Sequence, residues 1–241
     1  MLFDFARTLV WAPSWEELEI RRLARACLEV LSSTLGRPEL VARLREAHEL
    51  YLGVRQEGRR TAQERPAVDS VLDVLERMGL GGLVPFSRVA EVVEDLNRAC
   101  LEDTAPLPGA RETLECLTGR GLSLGLVSNA TCAWFVPRCL ERHGMNQYLG
   151  VQAVSGACGV RKPAPEIFRL ALDGLGVAPH EAVMVGDSLA YDVAGARRAG
   201  LKALWLEAGT LEPAPLPPGL APDARLKRLD PGEVLKLISG W

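Results

Sequence analysis

Lysine is scarce in this chain. It stands only at positions 162, 202, 227 and 236, so the stretch from Ser14 to Asp103 holds no side-chain amine that could form a Schiff base. The other basic residues are arginines, a bias that genome composition and heat adaptation would each produce. An excess of positive charge is also missing: 28 basic residues face 31 acidic ones, for a net charge of −3. That balance argues against nucleic acid or an anionic membrane as partner and leaves small metabolites or proteins. The apolar run at the N-terminus contains Asp4 and has no basic segment before it, which fits neither a signal peptide nor a membrane helix. The expected location is the cytoplasm. Six scattered cysteines, at 27, 100, 116, 132, 139 and 158, form no C-x-x-C pair and no metal-like spacing with His48, His143 and His180. They read as reduced packing thiols, and the histidines as surface or satisfied core residues.

What is present divides into two grammars. From Ser14 to Asp103 the pattern is helical throughout. Ser14 with Glu17 has the spacing of a capping box, and Leu18, Leu23, Cys27, Leu28 and Leu31 follow on one face. A second helix is expected from Pro38 to Tyr51, then a polar loop, GVRQEGRR (53–60). A third helix carries Val68, Val71, Leu72, Leu75 and Met78 and stops at Gly79 to Gly82, and a fourth begins at Ser87.

From Thr104 onward strands alternate with helices. Strands are expected at 122–128, 151–155, 182–186 and 201–206, with helices from about 109, 133, 164 and 189, and a last strand and helix near 225–239. The segment EPAPLPPGLAP (212–222) reads as a surface loop. The opening LFDF needs parallel neighbours too. The expected class is therefore α/β, a Rossmann-like parallel-sheet core formed by residues 1–13 and 104–241, with an all-helical cap domain inserted over 14–103.

Ligands of open parallel sheets bind beyond the carboxyl ends of the strands. Four such ends here carry polar residues: Asp4; Ser128 and Asn129; Arg161, Lys162 and Pro163; and Asp187, Ser188 and Asp192. Taken singly, each has an ordinary explanation. Asp4 could serve a turn, Ser128 a helix cap, Lys162 a solvated charge, and Gly186 to Ser188 a turn and cap. Taken together, carboxylates, a hydroxyl and an ammonium suit a divalent cation and a phosphoryl group.

Those stretches carry a family resemblance. LFDFARTL, LGLVSNA, GVRKPAPEIF and VMVGDSLAYDVAGARRAG resemble, in order, the four motifs of the haloacid dehalogenase superfamily, with a helical cap after the first. The resemblance implies a hydrolase of phosphatase type, acting on a small phosphorylated compound. It implies that Asp4 is the nucleophile, that Ser128 and Asn129 contact the phosphoryl group, and that Lys162 stabilises the charge there. It further implies Mg²⁺ held by Asp4, Asp187, Asp192 and the backbone carbonyl of Ala6.

One position departs from the pattern. The family's phosphatases carry a second aspartate two residues after the nucleophile, where it protonates the leaving group and later activates water. Here that residue is Ala6, so turnover is expected to be weak or restricted to good leaving groups. Arg7 follows where glycine is usual. It cannot act as an acid, but it could bind substrate phosphate or point to solvent. Three branches of the family lack the second aspartate. The Schiff-base branch, which also has alanine there, needs the cap lysine that this chain lacks. Dehalogenases, whose halide leaving group needs no proton, lack the metal and carry a different fourth motif, which leaves that activity as a minor alternative. The third branch keeps the phospho-ligand site and loses efficient turnover, up to a catalytically silent ligand- or partner-binding protein. In the cap, Arg55, Arg59 and Arg60 could read an anionic substrate or form a solvated basic loop. Trp11 and Pro13 could flank a hinge or simply pack, and Trp134 and Phe135 are expected in the core.

Overall fold

The computed structural model describes residues 1–207, 219 and 221–241. The proline-rich segment 212–222 therefore lies mostly outside the described residues. Strand β1 (Leu2–Phe3) starts the chain, and β2 (Val10–Trp11) leads into a helical stretch. Helix α1 (Pro13–Glu17) passes through a wider π-type turn at Leu18–Arg22 into α2 (Leu23–Thr34). A 3₁₀ segment (Pro38–Arg43), α3 (Leu44–Thr61), α4 (Ala67–Arg77) and α5 (Phe86–Ala99) complete the stretch. Strand β3 (Ala105–Pro106) then pairs antiparallel with β2, Val10 opposite Pro106 and Trp11 opposite Ala105. This short ribbon holds the two ends of the helical stretch together.

Alternation follows: α6 (Ala110–Gly119), β4 (Gly125–Ser128), α7 (Phe135–Arg142), β5 (Val151–Val154), α8 (Ser155–Cys158) and α9 (Pro165–Leu175). Strand β6 (Val183–Gly186), α10 (Ala194–Ala199), β7 (Lys202–Leu206), β8 (Ala224–Leu226) and α11 (Pro231–Ile238) close the chain. Six strands form one parallel sheet in the order β5-β4-β1-β6-β7-β8. The α/β, Rossmann-like class read from the sequence is the class observed.

Because successive strand residues face opposite sides, each strand serves two cores. Phe3, Leu126, Val185 and Leu204 join the larger core, shared with α6, α7, α11 and the helical stretch. Leu2, Val127, Met184 and Ala203 join the smaller one, under α9 and α10. Trp15 of α1 stacks on Phe135 of α7, ring centroids 4.8 Å apart, while Phe5 meets both rings edge-on. No helix among the described residues is long and apolar enough to cross a membrane. All six cysteines are free, and burial pushes the Cys27 thiol up to about 12.

Three local expectations differ from the structure. The Ser14–Glu17 capping box does not form: the helix begins at Pro13, and the Ser14 hydroxyl donates instead to Asp103, at the far end of the helical stretch. Helix 38–51 opens as a 3₁₀ segment and continues as α-helix to Thr61, so 53–60 is helix and not loop. Gly53 and Gly58 disfavour helix by about 1 kcal/mol each. Ala47, Tyr51, Val54 and Arg55, buried at helical spacing on one face, override them. Of the proposed readers in this segment, Arg60 is exposed, whereas Arg55 is buried. Trp11 is exposed, Trp134 partly buried and Phe135 fully buried. His48 Nδ1 lies 2.8 Å from the Arg21 carbonyl, His143 Nε2 2.9 Å from the Thr104 hydroxyl, and His180 is exposed.

Candidate active site

The sheet order places the carboxyl ends of β4, β1 and β6 side by side. Phe3 is in register with both Leu126 and Val185, so the next residue, Asp4, stands level with Val127 and Gly186. Its N–H donates to the Val185 carbonyl at 2.9 Å, which fixes the backbone of the side chain that matters. Ser128 ends β4, and Asp187 follows β6 directly. Asp192 comes from the π-type turn Leu189–Val193, whose first residue follows the Ser188 cap.

Lys162 reaches this junction from the segment after α8. Its Nζ donates to Asp4 Oδ1 at 2.5 Å, to Asp192 Oδ1 at 2.6 Å and to the Val127 carbonyl at 2.7 Å. The ammonium is 2% exposed, so all three of its protons are spent on protein. Asn129 positions that segment: its side-chain carbonyl accepts from the Lys162 N–H at 2.8 Å, and its amide donates to the Lys162 carbonyl at 3.1 Å. The expected substrate ligand thus has its amide group occupied in holding Lys162. Ser128, Asn129, Lys162, Ala6 and Arg7 all line the same cavity of about 270 Å³, with Asp4, Asp187 and Asp192. These eight residues read from the sequence therefore come together, whereas Arg60 does not line the cavity.

The charge in the cluster around Lys162 is unbalanced. Carboxylate oxygens of Asp4, Asp187 and Asp192 lie within 4.8 Å of one another, with a single ammonium in contact. Burial, then Asp4 and Asp192, raise Asp187 from 3.8 to about 8. Burial, partly offset by Lys162, raises Asp192 to about 6. For Lys162, burial opposes the charge, but Asp192 and Asp4 outweigh it and the net direction is up. Three hard oxygen donors against one cation match a divalent, oxygen-preferring ion such as Mg²⁺.

Arg7 has positive φ, 60°, a conformation that favours the glycine usual at this place in the motif. Its guanidinium is taken by Glu16 of α1, with Nε 2.8 Å and Nη2 2.5 Å from Oε2. Glu16 belongs to a group of cavity residues that the sequence did not single out, with Trp15, Glu19, Ile20 and Tyr191. Glu19 accepts from the Thr131 N–H at 2.6 Å and its hydroxyl at 2.7 Å, tying the helical stretch to the core beside Ser128. Glycine is required at 186, where a methyl group would stand 2.4 Å from the Asp192 carboxylate. Lys162 and the Ser188 N–H hold that carboxylate in place, at 2.6 and 2.9 Å. Gly186→Ala should cost about 1–3 kcal/mol of stability, read by urea denaturation, because the overpacked carboxylate cannot retreat.

The model of the haloacid dehalogenase-like hydrolase family matches residues 10–200, and the chain belongs to that family. A glyceraldehyde 3-phosphate phosphatase of Methanopyrus kandleri is 32% identical over 87% of this chain and 84% of its own length. A phosphoserine phosphatase of Thermus thermophilus is 40% identical over 49% of this chain, which spans only 46% of that relative. Among solved structures, a phosphatase of this family from Thermococcus onnurineus aligns over 99% of this chain and 97% of its own, with TM-score 0.66 and 25% identity. A 2-haloacid dehalogenase from Pseudomonas syringae aligns over 100% and 97%, with TM-score 0.68 and 23% identity, a likeness of fold alone.

Proposed function

We propose that the protein is a cytoplasmic phosphatase that takes the phosphoryl group of a small phosphorylated metabolite onto Asp4 and then releases it to water. The single observation that carries this reading is the contact of Asp4 with the buried Lys162 beside Asp187 and Asp192. Relatives named as phosphatases support the reaction class. A carboxylate attacks a phosphate dianion only when cations offset the charge on both. Lys162 supplies one such charge and holds Asp4 in place. Ser128 offers a hydroxyl to the phosphoryl oxygens, and Asn129 keeps Lys162 in position. Mg²⁺, held by Asp4, Asp187, Asp192 and the Ala6 carbonyl, would supply the remaining positive charge.

Ala6 shapes the outcome, since it can neither protonate a leaving group nor activate water. Aryl and acyl phosphates, whose leaving groups need little help, should react; alkyl phosphates should react slowly. Release of phosphate with Mg²⁺ from p-nitrophenyl phosphate, lost in Asp4→Asn, tests the proposal. Absence of turnover in wild type and in Ala6→Asp would favour the second reading, to which Ala6 itself points: a protein that binds phospho-ligands without turning them over.

The cation should announce itself through pH. Without metal, folded Asp187 and Asp192 hold protons up to about 8 and about 6, whereas the unfolded chain releases them near the usual 3.8. The folded state then binds more protons than the unfolded one over this window, so stability falls as pH rises through it. Mg²⁺ competes with those protons. Its stabilising shift in Tm should therefore be large at about pH 8.5 and small at about pH 5.5. A shift equal at both would contradict metal binding by these carboxylates.

A further inference from the structure

The cavity has a second charged lining besides the carboxylates around Lys162. Arg55 and Arg59 enter it from α3, and Arg161 from the residue before Lys162. Two glutamates accompany these three guanidinium groups, and neither is free for the task. Glu64 takes Arg55 at 2.6 Å but Arg161 only at 3.4 to 3.5 Å, while also accepting from the Ser155 hydroxyl at 3.0 Å. Glu19 gives both oxygens to Thr131 and meets Arg55 at 3.4 Å.

Arg59 and Arg161 are accordingly short of negative charge, whereas for Arg55 burial is outweighed by Glu19 and Glu64, which raise it above its ordinary value. Arg55 and Arg161 are each 4% exposed, yet the Nε of each is buried without a hydrogen-bond partner. Arg59 is exposed and forms no ion pair with any described residue. Burial pushes Arg161 below its ordinary value against the opposing pull of Glu64, the sign of a guanidinium short of negative charge. The two Nε atoms lie shut away from the open cavity; a ligand anion there would meet the guanidinium groups that line it, of which Arg59 is exposed and in no ion pair among the described residues.

We propose that the cavity takes a phosphomonoester bearing a second anionic group, with the phosphoryl end at Asp4 and Lys162 and the second anion at Arg161, Arg59 and Arg55. This rests on the phosphoryl site proposed above and adds the substrate class. The cavity, about 270 Å³, lies just under the usual range of about 300–1,000 Å³ for ligand pockets, so the substrate is a compound of few carbons. Carboxylate and phosphate would both satisfy the arginines, in bidentate fashion.

Binding of three non-hydrolysable phosphonates, measured by calorimetry at fixed free Mg²⁺, tests the assignment without requiring turnover. They are propylphosphonate, 3-phosphonopropionate and propane-1,3-bisphosphonate. One of the two double anions should bind about tenfold tighter than propylphosphonate or better. Whichever it is names the second group as carboxylate or phosphate. Arg59→Gln, at an exposed position, should reduce that ratio several-fold, and Arg161→Gln, checked for folding by circular dichroism, should bring it close to one. Equal affinities for all three phosphonates, or a ratio untouched in both folded variants, would overturn the second anion site and leave the phosphoryl site standing. Failure of all three to bind would remove the phosphoryl site and this proposal together.

Discussion

Ala6→Asp should raise the hydrolysis of an alkyl phosphate by about 10²-fold or more, the lower part of the range over which a positioned acid–base group acts. Position 6 lines the cavity two residues beyond Asp4, so a carboxyl there would be added to the cavity that holds the proposed nucleophile. In the proposed reaction an alkoxide needs a proton as it departs, and a phosphoryl group on Asp4 would then need a base to activate water. Aspartate supplies both, and alanine neither. For p-nitrophenyl phosphate the first benefit is small, so the gain should be smaller and confined to the second step. Phosphate release from both esters, measured side by side with Mg²⁺ present, gives the comparison. A larger gain on the aryl ester than on the alkyl ester would contradict the assignment of the missing group as an acid.

Lys162→Met should be the most damaging substitution to stability, at about 3–5 kcal/mol. The ammonium is buried and touches Asp4 and Asp192, and Asp187 is crowded beside them. Methionine fills much of the volume and leaves the carboxylates without their cation. Because these partners raise the Lys162 pKa above its usual 10.5, the ammonium is charged at neutral pH and its own deprotonation removes the contribution as pH climbs through the raised value. The deficit of the variant should shrink toward low pH, where protons neutralise Asp187 and Asp192, and should also shrink with added Mg²⁺. Urea denaturation at about pH 5.5 and about pH 8, with and without the ion, reads all of this. A deficit independent of both would mean that Lys162 acts by packing alone.

The side of the cavity around Lys162 was legible because a parallel sheet gathers strand ends in one place. Asp4, Ser128, Lys162, Asp187 and Asp192 each sit in a short local pattern, and the sheet order brings those patterns together. The side formed by the helical stretch was legible only in Arg55 and Arg59, for a physical reason. Glu19 finds Thr131 across 112 positions and Glu64 finds Ser155 across 91, and no local spacing announces such pairs. On sequence alone Glu16 and Glu19 are ordinary polar residues of a helix. The segment 53–60 misled through its two glycines, since helix propensity was read there without the buried face that Val54 and Arg55 extend. Ser14 misled in the opposite way, because a good local capping pattern lost to a distant carboxylate on Asp103.

The role of Asp4 is most directly tested by intact-mass analysis after brief mixing with p-nitrophenyl phosphate and Mg²⁺, followed by acid quench and peptide mapping. With no base at position 6 to hydrolyse it, one phosphoryl group should accumulate on Asp4, persist longer than in Ala6→Asp, and be absent from Asp4→Asn. Phosphate released with no phosphorylated chain at any time, at a rate that Asp4→Asn leaves unaltered, would contradict Asp4 as the nucleophile.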